Sequence, residues 1–186
     1  MPELKNGMRL YHGSYCEVAE PDLSRCAQFK DFGQGFYLTS SLEQAKSFAK
    51  LSTSKAIGRK HIQPQRFGVV STFAYEANTE LSIKDFPTAG IEWLHCVIGH
   101  RKNIYFLDAV HKLKSYDIIS GKIANDDTNA TIATYLGGLY GVIGSERADT
   151  ICISLLLPER LQDQFCFRTV RALSTLTFEG SKRVWL

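Results

Sequence analysis

The sequence predicts an α+β fold arranged as one domain over residues 1–186. Two features of the pattern support this prediction. Short segments with the alternation of strands are many, and helical segments are mixed among them in an irregular order. The regular strand–helix rhythm of a doubly wound sheet is missing. A chain of this length buries roughly 70% of its unfolded surface, so we expect a core that needs no metal or disulfide.

The first half of the chain is predicted to contain three strands and one helix. Residues 8–12 alternate in polarity and precede a glycine, and residues 35–39 follow a Gly-x-Gly turn. Ser40 and Glu43 have the spacing of a capping box, and apolar residues at helical spacing follow for about three turns. Residues 67–76 form a β-branched and aromatic run that predicts a long central strand.

The second half of the chain carries further helical patterns and short strand patterns. Pro158 is expected to end one of the helices, because proline removes a backbone donor and clashes with the preceding turn. The predicted helices span residues 91–99, 128–140, 148–156 and 170–176, and the predicted strands are residues 116–119, residues 162–168 and the C-terminal segment.

Two segments are predicted to be loops, residues 22–34 and residues 52–66. The second contains Gly58, Pro64 and five basic side chains when His61 is counted. Such a segment suits either a mobile loop that binds phosphates over a site or an ordinary solvated loop. The sequence leaves both alternatives open.

The composition disfavours several classes of protein. A net charge of +3 is small for a dedicated nucleic-acid binder. Five cysteines without C-x-x-C spacing indicate a reducing, cytoplasmic setting and not a secreted disulfide framework. We expect no signal peptide and no membrane span, because the first residues lack an apolar run and the longest uncharged stretch, residues 130–144, contains four glycines.

A first candidate site lies at the end of the first predicted strand, where Tyr11, His12, Gly13 and Ser14 follow one another. A histidine before a glycine places an imidazole beside backbone that no side chain shields, so a planar ligand can approach closely. The simpler alternative is a histidine that happens to precede a turn glycine.

A second candidate is the segment of residues 31–39, in which Gly33 and Gly35 precede Phe36 and Tyr37. Two glycines beside consecutive aromatic rings suit the stacking of a flat, electron-poor heterocycle. A turn or bulge followed by core aromatic residues is the alternative. Because these glycines precede a strand and do not open a helix, they do not match a Rossmann phosphate loop.

A third candidate is the predicted strand that contains Gln164. Alternation places Phe165 and Phe167 on one face, which we expect to meet the core, and places Gln164 on the other. The alternative is an edge strand with solvated polar residues.

No metal site is expected, because the cysteines and histidines lack the paired spacing of metal ligands. A cysteine–histidine nucleophile pair is disfavoured, since no cysteine lies in a recognisable activated turn.

The order of these motifs resembles the NAD-binding core of the ADP-ribosyltransferases. The similarity is greatest to the histidine–tyrosine–glutamate branch, which includes diphtheria-type toxins and poly-ADP-ribose polymerases. More narrowly, the chain looks like an uncharacterised bacterial family assigned to that superfamily. The resemblance covers residues 10–178 and implies a split, mixed β-sheet with peripheral helices. The shared motifs are Tyr-His-Gly-Ser at residues 11–14, Asp-Phe-Gly-x-Gly-Phe-Tyr-Leu-Thr at 31–39, Glu-Trp-Leu at 92–94 and Ala-Asn-Asp-Asp at 124–127.

The resemblance also implies a role for individual residues. His12 would hydrogen-bond the ribose hydroxyls of NAD, the backbone of Gly13 would hold the nicotinamide amide, and Tyr37 would stack on the nicotinamide ring. Cleavage of the nicotinamide–ribose bond passes through an oxocarbenium-like state, so the leaving group has to be held flat and the ribose oriented. The implied NAD-binding set is His12, Gly13, Ser14, Gly35, Phe36, Tyr37 and Thr39, without a metal.

One residue departs from the pattern of this branch. The branch has a glutamate on the late strand, and the corresponding catalytic candidate here is Gln164, which carries no charge. Stabilisation of the developing cation would be weaker, so single-unit transfer or NAD hydrolysis is expected in place of polymer elongation. Asp126, Asp127 and Glu159 are possible substitutes for the missing acid.

Three further residues are candidates for contacts with the acceptor or with phosphate. Asn125 and Asp126 precede a predicted helix, where they would suit either a substrate contact or an N-cap. Arg101 lies near the end of a predicted helix and would suit either a phosphate contact or a solvated cation at the helix dipole.

The resemblance implies a mono-ADP-ribosyltransferase that uses NAD as substrate. Small domains of this kind are commonly toxins of toxin–antitoxin or conflict systems, so the implied partners are a protein or nucleic-acid acceptor and a cognate antitoxin. The alternative is a binding module that keeps the fold and holds NAD or another nucleotide but has lost turnover at Gln164.

Overall fold

The protein is described here by a computed structural model that covers residues 3–124, 126–156 and 161–186, without the side chains of residues 126 and 127. The α+β prediction is confirmed, because the strands of this part of the chain form two sheets with helices packed around them. The strands are β1 (Arg9–Ser14), β2 (Phe36–Leu38), β3 (Phe67–Tyr75), β4 (Ile83–Asp85), β5 (Ile118–Lys122), β6 (Asp163–Phe167) and β7 (Leu176–Trp185). The helices are α1 (Leu42–Gly58), α2 (Ile91–Lys102), α3 (Leu107–Lys112), α4 (Asp126–Leu136), α5 (Glu146–Leu156) and α6 (Val170–Leu173).

In the described residues, backbone hydrogen bonds join the two sheets at a single pair of residues. One sheet has the strand order β1-β3-β7 and is antiparallel, and the other has the order β2-β6-β5-β4, in which β4 and β5 are parallel. Tyr11 of β1 donates its N–H to the carbonyl of Thr39 at 2.8 Å, and Thr39 donates back at 3.0 Å. The edges of β1 and β2 therefore meet only at this bridge.

Strand β6 is buried on both faces, which gives it apolar residues at successive positions. Phe165 and Phe167 pack with Phe36 of β2 in one cluster. Cys166 points the other way, into a cluster built around Trp93 of α2. The prediction that Phe165 and Phe167 face a core is confirmed, and the opposite face is also buried.

Helix α1 is longer than predicted and begins one residue later. Its N-cap is Ser41, whose side chain accepts the N–H of Gln44 at 3.3 Å, so the predicted capping box at Ser40 is wrong by one position. The helix continues through Gly58, and residues 52–58, which were predicted to be a loop, are helical. Burial of Ala45, Ala49, Thr53 and Ala56 against the first sheet extends the helix despite its basic surface.

Helix α2 also extends past its predicted end at Gly99. A Cβ at Gly99 would lie 2.6 Å from Val110 Cγ2, so this glycine allows α3 to pack closely and does not end the helix. The helix ends at Lys102 and is capped by Asn103, whose φ of 53° is left-handed. None of the helices in the described ranges has the length and apolar character required to cross a membrane.

The remaining differences concern short elements and ends. Strand β4 and helix α3 have three and six residues and gave no clear pattern. Helix α4 ends at Leu136 because turns with positive φ at Gly138 and Gly141 follow it. Helix α6 ends at Leu173, so the last residues of that predicted helix leave it and the chain enters β7. The predicted stop at Pro158 lies outside the described residues.

Gly13 is expected to be required for the packing of β1 on α1. A Cβ at this position would lie 2.1 Å from the carbonyl oxygen of Ala45 and 2.7 Å from the backbone nitrogen of Ala49, and backbone cannot yield as a side chain can. Gly13→Ala is predicted to lower the free energy of unfolding by about 1–3 kcal/mol in urea denaturation. The control is Gly58→Ala, where a Cβ meets nothing within 4 Å. Equal stabilities of the two variants would contradict the close approach.

Candidate functional site

The edges of β1 and β2 separate beyond the bridge between Tyr11 and Thr39. Alternate residues of an antiparallel strand bond to opposite sides, and Tyr11 bonds towards β2, so the backbone N–H and C=O of Gly13 face the same edge. Tyr37 lies opposite Gly13 but does not pair with it. Within the described residues no protein group bonds the Gly13 backbone at this edge. We call the gap between Gly13 and Tyr37 the inter-sheet slit.

His12 occupies one side of the inter-sheet slit in a defined state. Its Nδ1–H donates to the carbonyl oxygen of Tyr37 at 2.8 Å, and its ring packs on Phe36 with ring centroids 4.5 Å apart. Burial lowers the pKa of His12 below the ordinary value, so the ring is neutral at neutral pH. Since Nδ1 carries the proton, Nε2 presents a lone pair that can accept a hydrogen bond.

The absence of a side chain at Gly13 brings helix α1 against the slit. Phe48 of this helix has its Cβ 2.9 Å from the point where a Gly13 Cβ would lie. Ala45 and Ala49 are fully buried, but Phe48 is 40% exposed. An exposed aromatic ring on the helix that packs against Gly13 offers a stacking surface for a planar ligand. The sequence analysis did not single out Phe48, although one large ring between buried alanines was a usable signal.

Tyr37 contributes its backbone to the slit, and its ring lies on the other face of β2. Phe36 packs in the same cluster as β6 residues Phe165 and Phe167, whereas the Tyr37 ring packs against the opposite cluster. The Tyr37 hydroxyl donates to the carbonyl of Gly33 at 2.8 Å and accepts the N–H of Phe32 at 2.9 Å. Burial raises the pKa of Tyr37, so the phenol stays protonated and fixes the turn that precedes β2.

The two glycines of the Gly-x-Gly turn are explained by contacts within the protein. Gly33 has a left-handed φ of 81°, and a Cβ there would lie 2.6 Å from His100 Cδ2. A Cβ at Gly35 would lie 2.5 Å from Cys166 Sγ. Close packing on α2 and β6 therefore explains the absence of side chains at both positions, and the expected part of Gly35 in binding NAD stays a prediction.

Ser14 and Thr39, the other members of the expected NAD-binding set, are both buried. Thr39 Oγ1 donates to Gln44 Oε1 at 3.0 Å and accepts the N–H of Ser41 at 3.1 Å. These bonds tie the end of β2 to the first turn of α1, so Thr39 holds the helix against the slit.

Gln164 lies on the face of β6 opposite Phe165 and Phe167, as the alternation predicts. Its amide donates to Asp31 Oδ2 at 2.7 Å and to the carbonyl of Lys122 at 3.3 Å. The catalytic candidate is therefore buried beside a carboxylate and faces away from the side of the sheet where His12 contacts Phe36. The structure unites His12, Gly13 and Phe36 but does not turn the Gln164 side chain towards them.

Arg101 forms an ion pair with the same carboxylate. Its Nε and a terminal nitrogen lie 2.7 and 2.6 Å from Asp31 Oδ1. The remaining donors bond Asn129 Oδ1 at 2.6 Å and the carbonyl of Ala124, whose own N–H donates to Asp31 Oδ2 at 3.0 Å. Arg101 is thus committed to protein acceptors and is not the solvated helix-end cation that the sequence suggested.

Several candidate acidic or polar residues cannot be placed. Asn125 and Glu159 lie outside the described residues. The side chains of Asp126 and Asp127, at the beginning of α4, lie outside them as well. The expected contacts of Asn125 and Asp126 with acceptor or phosphate stay predictions. The substitution of Asp126, Asp127 or Glu159 for the missing acid stays a prediction as well.

The cysteines of the described chain are all free thiols. Cys96 Sγ lies 3.5 Å from His100 Nδ1, but burial raises the pKa of the Cys96 thiol far above its usual value. In the same part of the chain, no group of three or more His, Cys, Asp or Glu side chains is arranged to hold a metal ion.

An uncharged side chain at position 164 is expected to be required for stability, because it lies beside the buried carboxylate of Asp31. Gln164→Glu would place two carboxylates at hydrogen-bond distance in a buried site, so the variant should lose about 3 kcal/mol of stability at pH 7. The pKa of the new carboxyl would rise above about 4.3, and the loss should therefore shrink as the pH falls towards that value. Chemical denaturation at pH 5 and pH 7 measures this difference. The control is Gln162→Glu at an exposed position, and equal losses in both variants would contradict the pairing.

The comparisons with known proteins add a family but no activity. No curated protein and no solved structure matches the chain. A family model described as "Protein of unknown function (DUF3990)" matches residues 8–178, from the residue before β1 to within β7. The match includes the inter-sheet slit and the pair formed by Gln164 and Asp31. The chain therefore belongs to the DUF3990 family of proteins of unknown function.

Proposed function

We propose that the protein is an NAD-dependent mono-ADP-ribosyltransferase whose inter-sheet slit holds the nicotinamide end of NAD. The observation that carries the proposal is the open backbone of Gly13 beside the neutral imidazole of His12. The carboxamide of nicotinamide can present one of its N–H donors and its C=O on the same side, which complements one C=O and one N–H of the same residue. The resemblance of the sequence to NAD-binding transferases points to the same two residues.

His12 is suited to orient the ribose that adjoins the nicotinamide. The lone pair on His12 Nε2 can accept a hydrogen bond from a ribose hydroxyl, while the bond from Nδ1 to the Tyr37 carbonyl holds the ring in place. A ring fixed by a backbone carbonyl and by contact with Phe36 loses little conformational freedom on binding. Orientation of the sugar is the contribution that the cleavage step requires.

Phe48 is suited to hold the leaving group flat. In the proposed reaction the bond between ribose C1′ and the pyridinium nitrogen breaks. The electron pair of this bond moves to the nitrogen, and nicotinamide leaves as a neutral molecule. An acceptor nucleophile then bonds C1′ and loses its proton. Stacking on the exposed Phe48 ring would keep the pyridinium in the plane that this departure requires. Tyr37 would act indirectly, through the turn that its hydroxyl fixes.

The charge arrangement favours transfer of a single unit. The developing oxocarbenium ion is stabilised by nearby negative charge. Gln164 supplies none, and the carboxylate of Asp31 beside it is neutralised by Arg101. We therefore propose mono-transfer or NAD hydrolysis and no chain elongation. A toxin that acts in the cytoplasm on a protein or nucleic-acid acceptor, with a cognate antitoxin, is the context that the resemblance suggests.

A catalytically inactive NAD-binding module is the second candidate. The observation that favours it is the hydrogen bond of Gln164 to Asp31, which occupies the amide inside the protein. In such a module NAD would bind in the inter-sheet slit and raise the melting temperature without being consumed.

Nicotinamide release from NAD by the purified protein is the measurement that separates these functions. A transferase or hydrolase releases nicotinamide, and His12→Ala should slow release about a hundredfold because the ribose is no longer oriented. The matched control, His61→Ala at an exposed position, should leave the rate unchanged. Faster release in the presence of cell lysate would indicate an acceptor.

The same assay tests the stacking surface. Phe48→Ala should raise KM for NAD about tenfold, and Leu51→Ala, one turn further along α1 with a similar exposure of 37%, should not. A rise in melting temperature with NAD but no release would favour the binding module. Neither release nor a thermal shift would refute NAD as the ligand.

The affinity for NAD is expected to depend on pH through His12. Its pKa lies below the ordinary value of about 6.5, so the affinity should be constant above that pH. At lower pH the ring takes up a proton, Nε2 becomes a donor and the bond from the ribose hydroxyl is lost. Calorimetric titrations between pH 5 and pH 8 measure the change. His12→Asn keeps an acceptor that does not titrate, so this variant should lose the pH dependence of NAD affinity. An unchanged loss of affinity at low pH in this variant would assign the dependence to another group.

A further inference from the structure

A cavity lies away from the inter-sheet slit, between the segment before β2, helices α2 and α3 and the end of β6. It has a volume of about 440 Å³, which is within the range of ligand pockets. Phe29, His100, Lys114, Tyr116 and Arg168 are among its lining residues. We call it the His100 groove.

His100 lines this groove, and its ring holds a buried, unpaired acceptor. The residue is only 8% exposed, and its Nδ1–H donates to the carbonyl of Cys96 at 2.9 Å. Nε2 therefore carries the lone pair of the neutral ring, and it has no hydrogen-bond partner among the described residues. An unsatisfied buried acceptor costs about 1–3 kcal/mol, so a ligand that donates a hydrogen bond here recovers that cost.

The groove is positively charged. Arg168 bonds the carbonyl of Leu113 through a terminal nitrogen, while its buried Nε has no partner in the described part of the chain. Lys114 is exposed at the rim. The described lining contains no aspartate or glutamate. An anionic group, and phosphate in particular, is the complement of these two cations.

Two aromatic rings line the same space. Phe29 is 62% exposed, and Tyr116 is half-buried. Exposed rings beside cations are typical of surfaces on which a nucleobase stacks while its phosphate is neutralised.

We propose that the His100 groove binds a nucleoside monophosphate, with the phosphate on Lys114 and Arg168, the base against Phe29 and Tyr116, and a hydroxyl or amino group donating to His100 Nε2. Such a ligand carries an anion for the two cations, a flat ring for the two aromatic side chains and a hydrogen-bond donor for His100 Nε2. The proposal does not depend on the transferase activity. The groove and the inter-sheet slit share the turn before β2, because Gly33 lies against His100 and accepts the hydroxyl of Tyr37.

A calorimetric titration of the full chain with AMP tests the proposal. We expect a Kd below about 1 mM and a loss of about tenfold in Lys114→Gln, since a charged hydrogen bond is removed. The matched control is Lys112→Gln, an exposed lysine of α3 that does not line the groove. Phe29→Ser should weaken AMP several-fold and leave the weaker binding of inorganic phosphate unchanged.

A variant of the slit distinguishes binding in the His100 groove from binding in the inter-sheet slit. His12→Ala should leave AMP binding at the groove intact even where it abolishes NAD binding. Absence of AMP binding would overturn the proposal, as would equal weakening by the two lysine variants. Loss of AMP binding in His12→Ala with retention in Lys114→Gln would place the nucleotide in the slit and overturn it as well. Equal affinities for phosphate and AMP would show that the nucleoside does not contribute to binding and would overturn the proposed nucleotide site.

Discussion

The buried carboxylate of Asp31 is the interaction on which the two candidate sites depend. It accepts hydrogen bonds from Arg101 of α2, from Gln164 of β6 and from the backbone of Ala124 after β5. A carboxylate that is 6% exposed is costly unless paired, so these contacts must form together. They hold the beginning of residues 31–39 against the second sheet, which sets where β2 runs and how its edge meets β1.

The position of the β2 edge determines the inter-sheet slit. The bridge between Tyr11 and Thr39 brings the sheets together, and the separation beyond it leaves the backbone of Gly13 open. Helix α1 closes one side because Gly13 lets it approach, and it brings Phe48 with it. The same turn that begins at Asp31 borders the His100 groove through Gly33. One segment therefore shapes both the inter-sheet slit and the His100 groove.

Local patterns predicted those parts of the fold that depend on neighbouring residues. The parity of β6 follows from the spacing of Phe165 and Phe167, and it placed Gln164 on the correct face. The prediction failed where packing overruled local signals. Basic residues suggested a loop after residue 52, but burial of Thr53 and Ala56 continues α1. Gly99 suggested a helix end, although its role is to admit Val110.

The sequence alone determined the α+β class and the positions of most strands and helices, because these depend on periodicity along the chain. The tertiary structure decided that Gln164 bonds Asp31, a residue 133 positions away. It also decided that Tyr37 meets His12 through its carbonyl while its ring lies on the other face of β2. Hydrogen-bond partners and open strand edges depend on how separate segments pack, and no periodicity within one segment contains that information.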